Sequence, residues 1–273
     1  MSTFDVYGVT DTLPEPILAV IATRLEARGQ HPAFQRMLHE YLEAMAIDQA
    51  TTVLDVGCGT GVAARAIATR PGFAGTVLGI DLSPHLVEAA RQFAVAEGVS
   101  ERVRFQVGDT RNLDLPDGAF DAVVAHTLIS HVDDPQAVLA EARRVVKPEG
   151  MVGIFDGDYA SLTFGQPDPQ QGKRDDEAIQ QAIITNPRIM RQMPGLLREA
   201  GLTLVQAFPS VVADIGTADF WVPAIESLRR LVPQSGVMDE ATINAWADAR
   251  LQESTAGTFF GASNYYAYVA RRS

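Results

Sequence analysis

Two rhythms of apolar and polar residues alternate through the middle of this chain. Continuous β-branched and aliphatic runs at 51–56, 75–81, 103–107, 120–125 and 151–155 predict buried strands. Between them, 62–68, 84–97 and 135–145 are rich in good helix formers and predict helices. Ser83-Pro84 and Asp134-Pro135 supply helix starts, an N-cap side chain followed by proline in the first turn. Strands alternating with helices predict βαβ units, with a parallel sheet covered on both faces.

The flanks carry a different pattern. Leu13, Ile17, Val20, Ile21 and Leu25 recur at helical spacing, with Gly29 as the stop. After Pro32, Phe34, Leu38, Leu42 and Met45 make a second stripe. Residues 1–49 therefore read as a helical cover on the sheet edge, with Tyr7 near the mouth of the site. Beyond the fifth strand, 156–169 reads as a loop with aromatics and 175–184 as a helical segment. A helix at 186–201 ends at Gly201, and 202–212 reads as a strand.

The chemistry concentrates where the first strand meets the first helix. Val53-Leu54-Asp55-Val56 runs into Gly57-Cys58-Gly59-Thr60-Gly61, with glycine at alternate positions. A strand, a glycine turn and a helix N-terminus bring backbone N–H groups against a nucleotide-like ligand. A dinucleotide fingerprint needs G-x-G-x-x-G, and Val62 stands where its third glycine belongs. No lysine lies in the loop, which excludes a P-loop. Asp81 ends the second strand at the carboxyl edge, where its carboxylate can accept the hydroxyls of a ribose. Ser83 fills the helix-cap role better than Asp81 does.

The segment 53–61 resembles motif I of the class I S-adenosylmethionine (SAM) dependent methyltransferases. Gly79-Ile80-Asp81, Gly108-Asp109, Phe120-Asp121, His131-Val132 with Asp134-Pro135, and Lys147-Pro148 with Gly150 follow in order over residues 50–157. They resemble the small-molecule group that includes the ubiquinone and menaquinone biosynthesis C-methyltransferases. The resemblance implies an α/β, Rossmann-like fold in one domain over 1–273. Its seven-stranded sheet is mostly parallel with an antiparallel last strand, plus the helical cover. Residues 50–157 are then the SAM-binding core, and 257–270, with Tyr265, Tyr266 and Tyr268, the closing strand. That leaves 213–256 as an insertion of two amphipathic helices, a lid. Phe220 and Trp221 are its expected pocket residues, and Trp246 packs.

For the cofactor, the resemblance implies Asp55, Gly57, Cys58, Gly59, Asp81 and Leu82, then Asp109 and Thr110 at the adenine, and His126 under the methionine end. Tyr7 and Tyr159 join Phe220 and Trp221 as expected acceptor contacts. His131 and Asp158 are the candidates for a general base, which is needed only when the acceptor must lose a proton. Asp156 and Asp158 show no full metal constellation, so no metal is expected. Cys58 reads as a small residue in a tight loop.

Composition narrows the partners. A formal charge of −12, with no run of lysine and arginine longer than two, argues against nucleic acid. A hydrophobic share of 47% supports a substantial core in 273 residues, and no apolar run approaches the ~18 residues of a membrane span. The first ten residues lack a signal-peptide pattern, and the single cysteine excludes an internal disulfide, so cytoplasmic residence is expected. The expected partner is a small, largely apolar acceptor, with a homodimer left open. Two alternatives stand beside methyl transfer: a SAM-binding protein that senses or catalyses something else, and an NAD(P)-dependent oxidoreductase.

Overall fold

The computed structural model describes residues 5–273. Helices α1 (Glu15–Gln30) and α2 (Pro32–Ala44) come first. The chain then alternates through β1 (Thr52–Val56), α3 (Val62–Ala68), β2 (Thr76–Asp81), α4 (Pro84–Ala96) and β3 (Val103–Val107). Next come β4 (Phe120–His126), α5 (Pro135–Val145) and β5 (Val146–Phe164). The remainder is α6 (Pro169–Ile183), α7 (Ile189–Glu199), β6 (Leu202–Gly216), α8 (Trp221–Leu231), α9 (Glu240–Ala256) and β7 (Phe259–Arg272).

One seven-stranded sheet has the order β3-β2-β1-β4-β5-β7-β6. Neighbours among β1 to β5 pair in parallel, and β7 runs antiparallel to both β5 and β6. The chain moves outward from β1 to β3, then crosses back to β4 on the other side of β1. The carboxyl ends of β1 and β4 thus form the switch point where open α/β sheets leave a crevice. Apolar side chains alternate between two cores. Val53, Ala122 and Val124 face α1 to α4. Leu54, Val123 and Ile154 face α5 and α7. The expected caps form: Ser83 Oγ accepts from the Leu86 N–H at 3.3 Å, and Asp134 Oδ1 from the Ala137 N–H at 3.0 Å.

Several local expectations change. Residues 156–164 are strand rather than loop, because β7 pairs with them through Asp156↔Tyr266, Asp158↔Asn264 and Thr163↔Ala262. Residues 159–162 bulge out opposite Ser263, which turns Tyr159 inward. The following helix starts at Pro169, where Asp168 accepts from the N–H groups of Gln170 and Gln171. The helix expected from 186 begins at Ile189, since Asn186 donates its side-chain amide to the Val132 carbonyl at 2.6 Å. β6 runs on to Gly216, so the inserted helical pair lies beyond it.

Gly29 does not stop α1. A Cβ there would lie 2.5 Å from Val62 Cγ1, so the glycine lets α1 seat on the start of α3. The stop comes at extended His31, ahead of Pro32. Among the described residues no helix is long and apolar enough to cross a membrane.

Candidate functional site

The loop after β1 is shaped by its glycines. Gly57, Gly59 and Gly61 have φ of 66°, 53° and 82°, the left-handed region that side chains avoid. A Cβ on Gly57 would meet Leu128 Cδ1 at 2.5 Å, and one on Gly61 would meet Phe105 Cζ at 2.5 Å. Asp81, at the end of β2, ties this loop to α4. Its Oδ2 accepts from the Gly59 N–H at 2.8 Å and its Oδ1 from the Ser83 N–H at 2.9 Å. A carboxylate has about four lone-pair positions, so two remain for a ligand.

Asp55 is different. Its Oδ2 accepts from the Ala64 N–H at 3.1 Å, while Oδ1 is buried with no partner among the described residues. Burial pushes its pKa up to about 8, with Asp81 adding to the rise and the Ala64 N–H opposing it. A buried, unpartnered carboxylate oxygen beside a cleft is half of an interaction. A cationic donor would complete it.

Along the carboxyl edge, Asp109 accepts from Arg111 through both oxygens, which holds its carboxyl below the usual range. Thr110 is buried beside it. At the end of β4, His126 Nδ1 lies 3.0 Å from the Tyr41 hydroxyl, and the ring stacks on Phe155 at 4.6 Å. Burial, with Arg28 adding to it, drives the His126 pKa down to about 3, so the ring stays neutral. Thr127 follows with φ 60°, an unusual conformation for a β-branched residue. Its hydroxyl accepts from Arg28 Nη2 at 2.6 Å.

His131 forms a buried pair with Asp5, Nδ1 to Oδ2 at 3.0 Å. Asp5 also accepts from the Tyr7 N–H and from the N–H and hydroxyl of Thr185, so the carboxylate is locked. Burial alone would lower the His131 pKa. The charge and hydrogen bond of Asp5, with Asp156 behind them, outweigh it and leave the pKa raised. The Tyr7 ring lies 4.8 Å from the imidazole and Tyr159 6.0 Å.

Three cavities follow one another across these residues. The largest, about 430 Å³, is lined by Asp81, Leu82, Asp109 and Thr110. A second of about 70 Å³ holds Asp55, Gly57, Cys58, Gly59, His126 and Arg28. A third of about 60 Å³ lies under α8, against Tyr159, Tyr265 and Trp221. Gly57, Asp81 and Leu128 border the first two; Tyr7, Arg28 and His131 border the last two. His131 and Tyr7 thus stand where all three meet.

Two expected residues lie apart from this trough. Asp158 is ion-paired with Arg191 at 2.8 Å and lines none of the three cavities. Phe220 stacks on Phe34 at 5.1 Å, behind the cavity wall. Asp156 is committed to the N–H groups of Ser130 and Gly157. Sequence reading missed Asp5, Arg24, Arg28, Thr127 and Tyr265. The one available signal was Arg24 and Arg28 four apart on a helix, a like-charge pair that normally destabilises.

Comparison with known proteins gives this geometry a context. Residues 54–154 match a family described as a methyltransferase domain. A Streptomyces fradiae protein, described as an uncharacterized 37.1 kDa protein in transposon TN4556, is 32% identical over 232 residues, 84% of this chain and 65% of its own. Sterol 24-C-methyltransferase ERG6B of Gibberella zeae is 28% identical over 214 residues, 78% of this chain and 56% of its own. Norajmaline N-methyltransferase of Rauvolfia serpentina is 32% identical over 163 residues, 58% and 54% of the two chains. The chain therefore spans less than two thirds of these relatives' lengths.

Among solved structures, a candidate methyltransferase of Bacillus halodurans C-125 superposes with a TM-score of 0.63 at 18% identity, covering 86% of this chain and 98% of its own. The [4+2]-cyclase SpnF superposes with a TM-score of 0.59 at 23% identity, covering 88% and 81%. At these identities the likeness concerns the fold. The match over residues 54–154 marks a methyltransferase domain in this chain, and the solved structures share its fold.

Proposed function

We propose that this protein transfers a methyl group from SAM to a small organic acceptor held under α8. The unpartnered Asp55 Oδ1 carries the reading. It asks for a ligand with an ammonium at one end, while Asp81 asks for hydroxyls further along the same trough. SAM has an amino-acid ammonium and a ribose; a nicotinamide dinucleotide has no ammonium. Gly57, Cys58 and Gly59 then lie along the cofactor, with Asp81 and Leu82 at its ribose and Asp109 and Thr110 at its adenine. Arg28 with Thr127 takes the carboxylate, and His126 lies under the methionine end. The narrower likeness to the ubiquinone and menaquinone group rests on the ordered motifs over 50–157. A largely apolar acceptor fits the third cavity, where Leu162, Ile184 and Leu228 stand beside the aromatic rings.

When bound, SAM supplies an activated methyl group on its sulfonium. The chain's part is to align donor and acceptor and to exclude water, which can account for about 7–11 kcal/mol of barrier. Tyr7 and His131 wall the junction where the two would meet. With Nδ1 engaged by Asp5, the His131 Nε2 is left to take a proton from an acceptor that must lose one. Its neutral form does this, so activity rises with pH through a raised pKa.

The test has two stages. Calorimetry should show SAM and S-adenosylhomocysteine binding, and no binding of NAD or NADP. A pooled acceptor screen should then release S-adenosylhomocysteine. NAD binding without SAM binding would end the methyltransferase reading. SAM binding with no turnover on any acceptor would favour a sensor.

A further inference from the structure

The third cavity holds a cationic donor with no acceptor among the described residues. Arg24 and Arg28 sit one turn apart on α1, and both line it. Arg28 also lines the second cavity and donates to Thr127. Arg24 faces only the third cavity, lies 4.6 Å over the Phe220 ring, and makes no hydrogen bond or ion pair with a described residue. Trp221 and Ser263 also line this cavity, and their Nε1 and Oγ are buried with no partner among the described residues.

The groups facing Arg24 do not neutralise it. From the N-terminal segment, β5 and β7 come Tyr7, Tyr159 and Tyr265, whose phenols burial pushes up, so all three stay uncharged. His131 comes from the segment after β4, and α8 contributes Ser227. The buried carboxylates beside Tyr7 and Tyr159 are already engaged, Asp5 by His131, Tyr7 and Thr185, and Asp156 by two backbone N–H groups. Burial, with Arg28 adding to it, makes Arg24 a weaker base than usual, as expected for a cation lacking a counter-charge. On the reading above, Arg28 meets the cofactor's carboxylate. SAM's ammonium and sulfonium then leave its net charge positive, so cofactor binding does not supply Arg24 with an anion.

We propose that the acceptor is an organic acid, an apolar body bearing a compact oxyanion that Arg24 holds. Leu162, Ile184 and Leu228 take the apolar body, and an oxyanion gives the Arg24 guanidinium a charge-assisted partner. Carboxylates and phosphates share this chemistry. The inference rests on the cofactor reading for the assignment of Arg28, and its test keeps the two apart.

The experiment titrates the protein, with and without S-adenosylhomocysteine, with benzoate, phenyl phosphate and the neutral isostere benzamide. At least one anion should bind ten times or more tightly than benzamide, and the better of the two identifies the oxyanion. Arg24→Gln should erase that preference and Arg24→Lys should keep part of it, while both hold S-adenosylhomocysteine within about twofold of wild type. Retained S-adenosylhomocysteine binding also shows that the variants are folded. Equal binding of all three probes, no binding of either anion, or an unchanged preference in Arg24→Gln overturns the proposal. Failure of S-adenosylhomocysteine to bind wild type sinks the cofactor reading, and the titrations without it still decide the anion preference.

Discussion

Asp55 makes the cofactor site sensitive to pH. Its folded-state pKa of about 8 lies above the ordinary value of 3.8. Without ligand, its contribution to stability is therefore fully present below about pH 4 and is lost as pH rises through about 8. Asp55→Asn should remove this loss, so at about pH 9 the unliganded variant should melt higher than wild type, by about 2–4 °C for each kcal/mol recovered. The same variant should bind SAM about 10- to 100-fold more weakly, because a charge-assisted hydrogen bond is worth about 1.5–3 kcal/mol. Melting and calorimetry on one sample series read both effects. A variant that melts lower at alkaline pH and binds SAM normally would remove Asp55 from the site. Asp5 acts on His131 in a separate way. Asp5→Asn should move the rising limb of the pH–rate profile to lower pH, because it removes the interactions that raise the imidazole pKa, and should lower the plateau. A profile that keeps its limb would mean that His131 is not the base.

At the level of elements, α8 and α9 divide the work differently from the glycine loop. Trp221 and Trp246 both pack edge-on against Phe164 at 5.0 Å, so the inserted pair is seated on the end of β5 rather than swinging free. Trp221→Ala should cost stability, about 3–5 kcal/mol for a buried tryptophan. It should raise the acceptor's KM about tenfold or more while leaving SAM affinity nearly intact. Asp81→Ala should do the reverse and weaken SAM about 10- to 100-fold. If both folded variants weaken SAM equally, α8 belongs to the cofactor pocket and not to an acceptor cover. The caps of α4 and α5 were legible in the sequence because Ser83-Pro84 and Asp134-Pro135 act within one turn. The strand at 156–164 was not, because Gly157 and Asp158 disfavour strand locally and pairing with β7 imposes it from about a hundred residues away.

For the molecule as a whole, the alternation of strands and helices and the glycine loop followed from patterns that repeat locally, strand by strand, while the seven strands and the antiparallel closure were what the family resemblance implied. The acceptor end did not. Asp5 meets His131 across 126 positions, and Arg24 gains its meaning only when α8 closes over it. Such contacts leave no periodic trace. The placement of β7 has a consequence for how the chain is made. This strand is synthesised after both of its neighbours and must slide between them, so β5 and β6 each keep an open edge until it arrives. Those edges include apolar residues such as Val211 and Ile215, which stay exposed in the finished fold. A nascent chain caught at that stage offers two ready templates for pairing with another copy. Arrival of β7 closes β5 and one side of β6, leaving only the outer edges of β3 and β6 free, so the interval before it is where a growing chain is most exposed to aggregation.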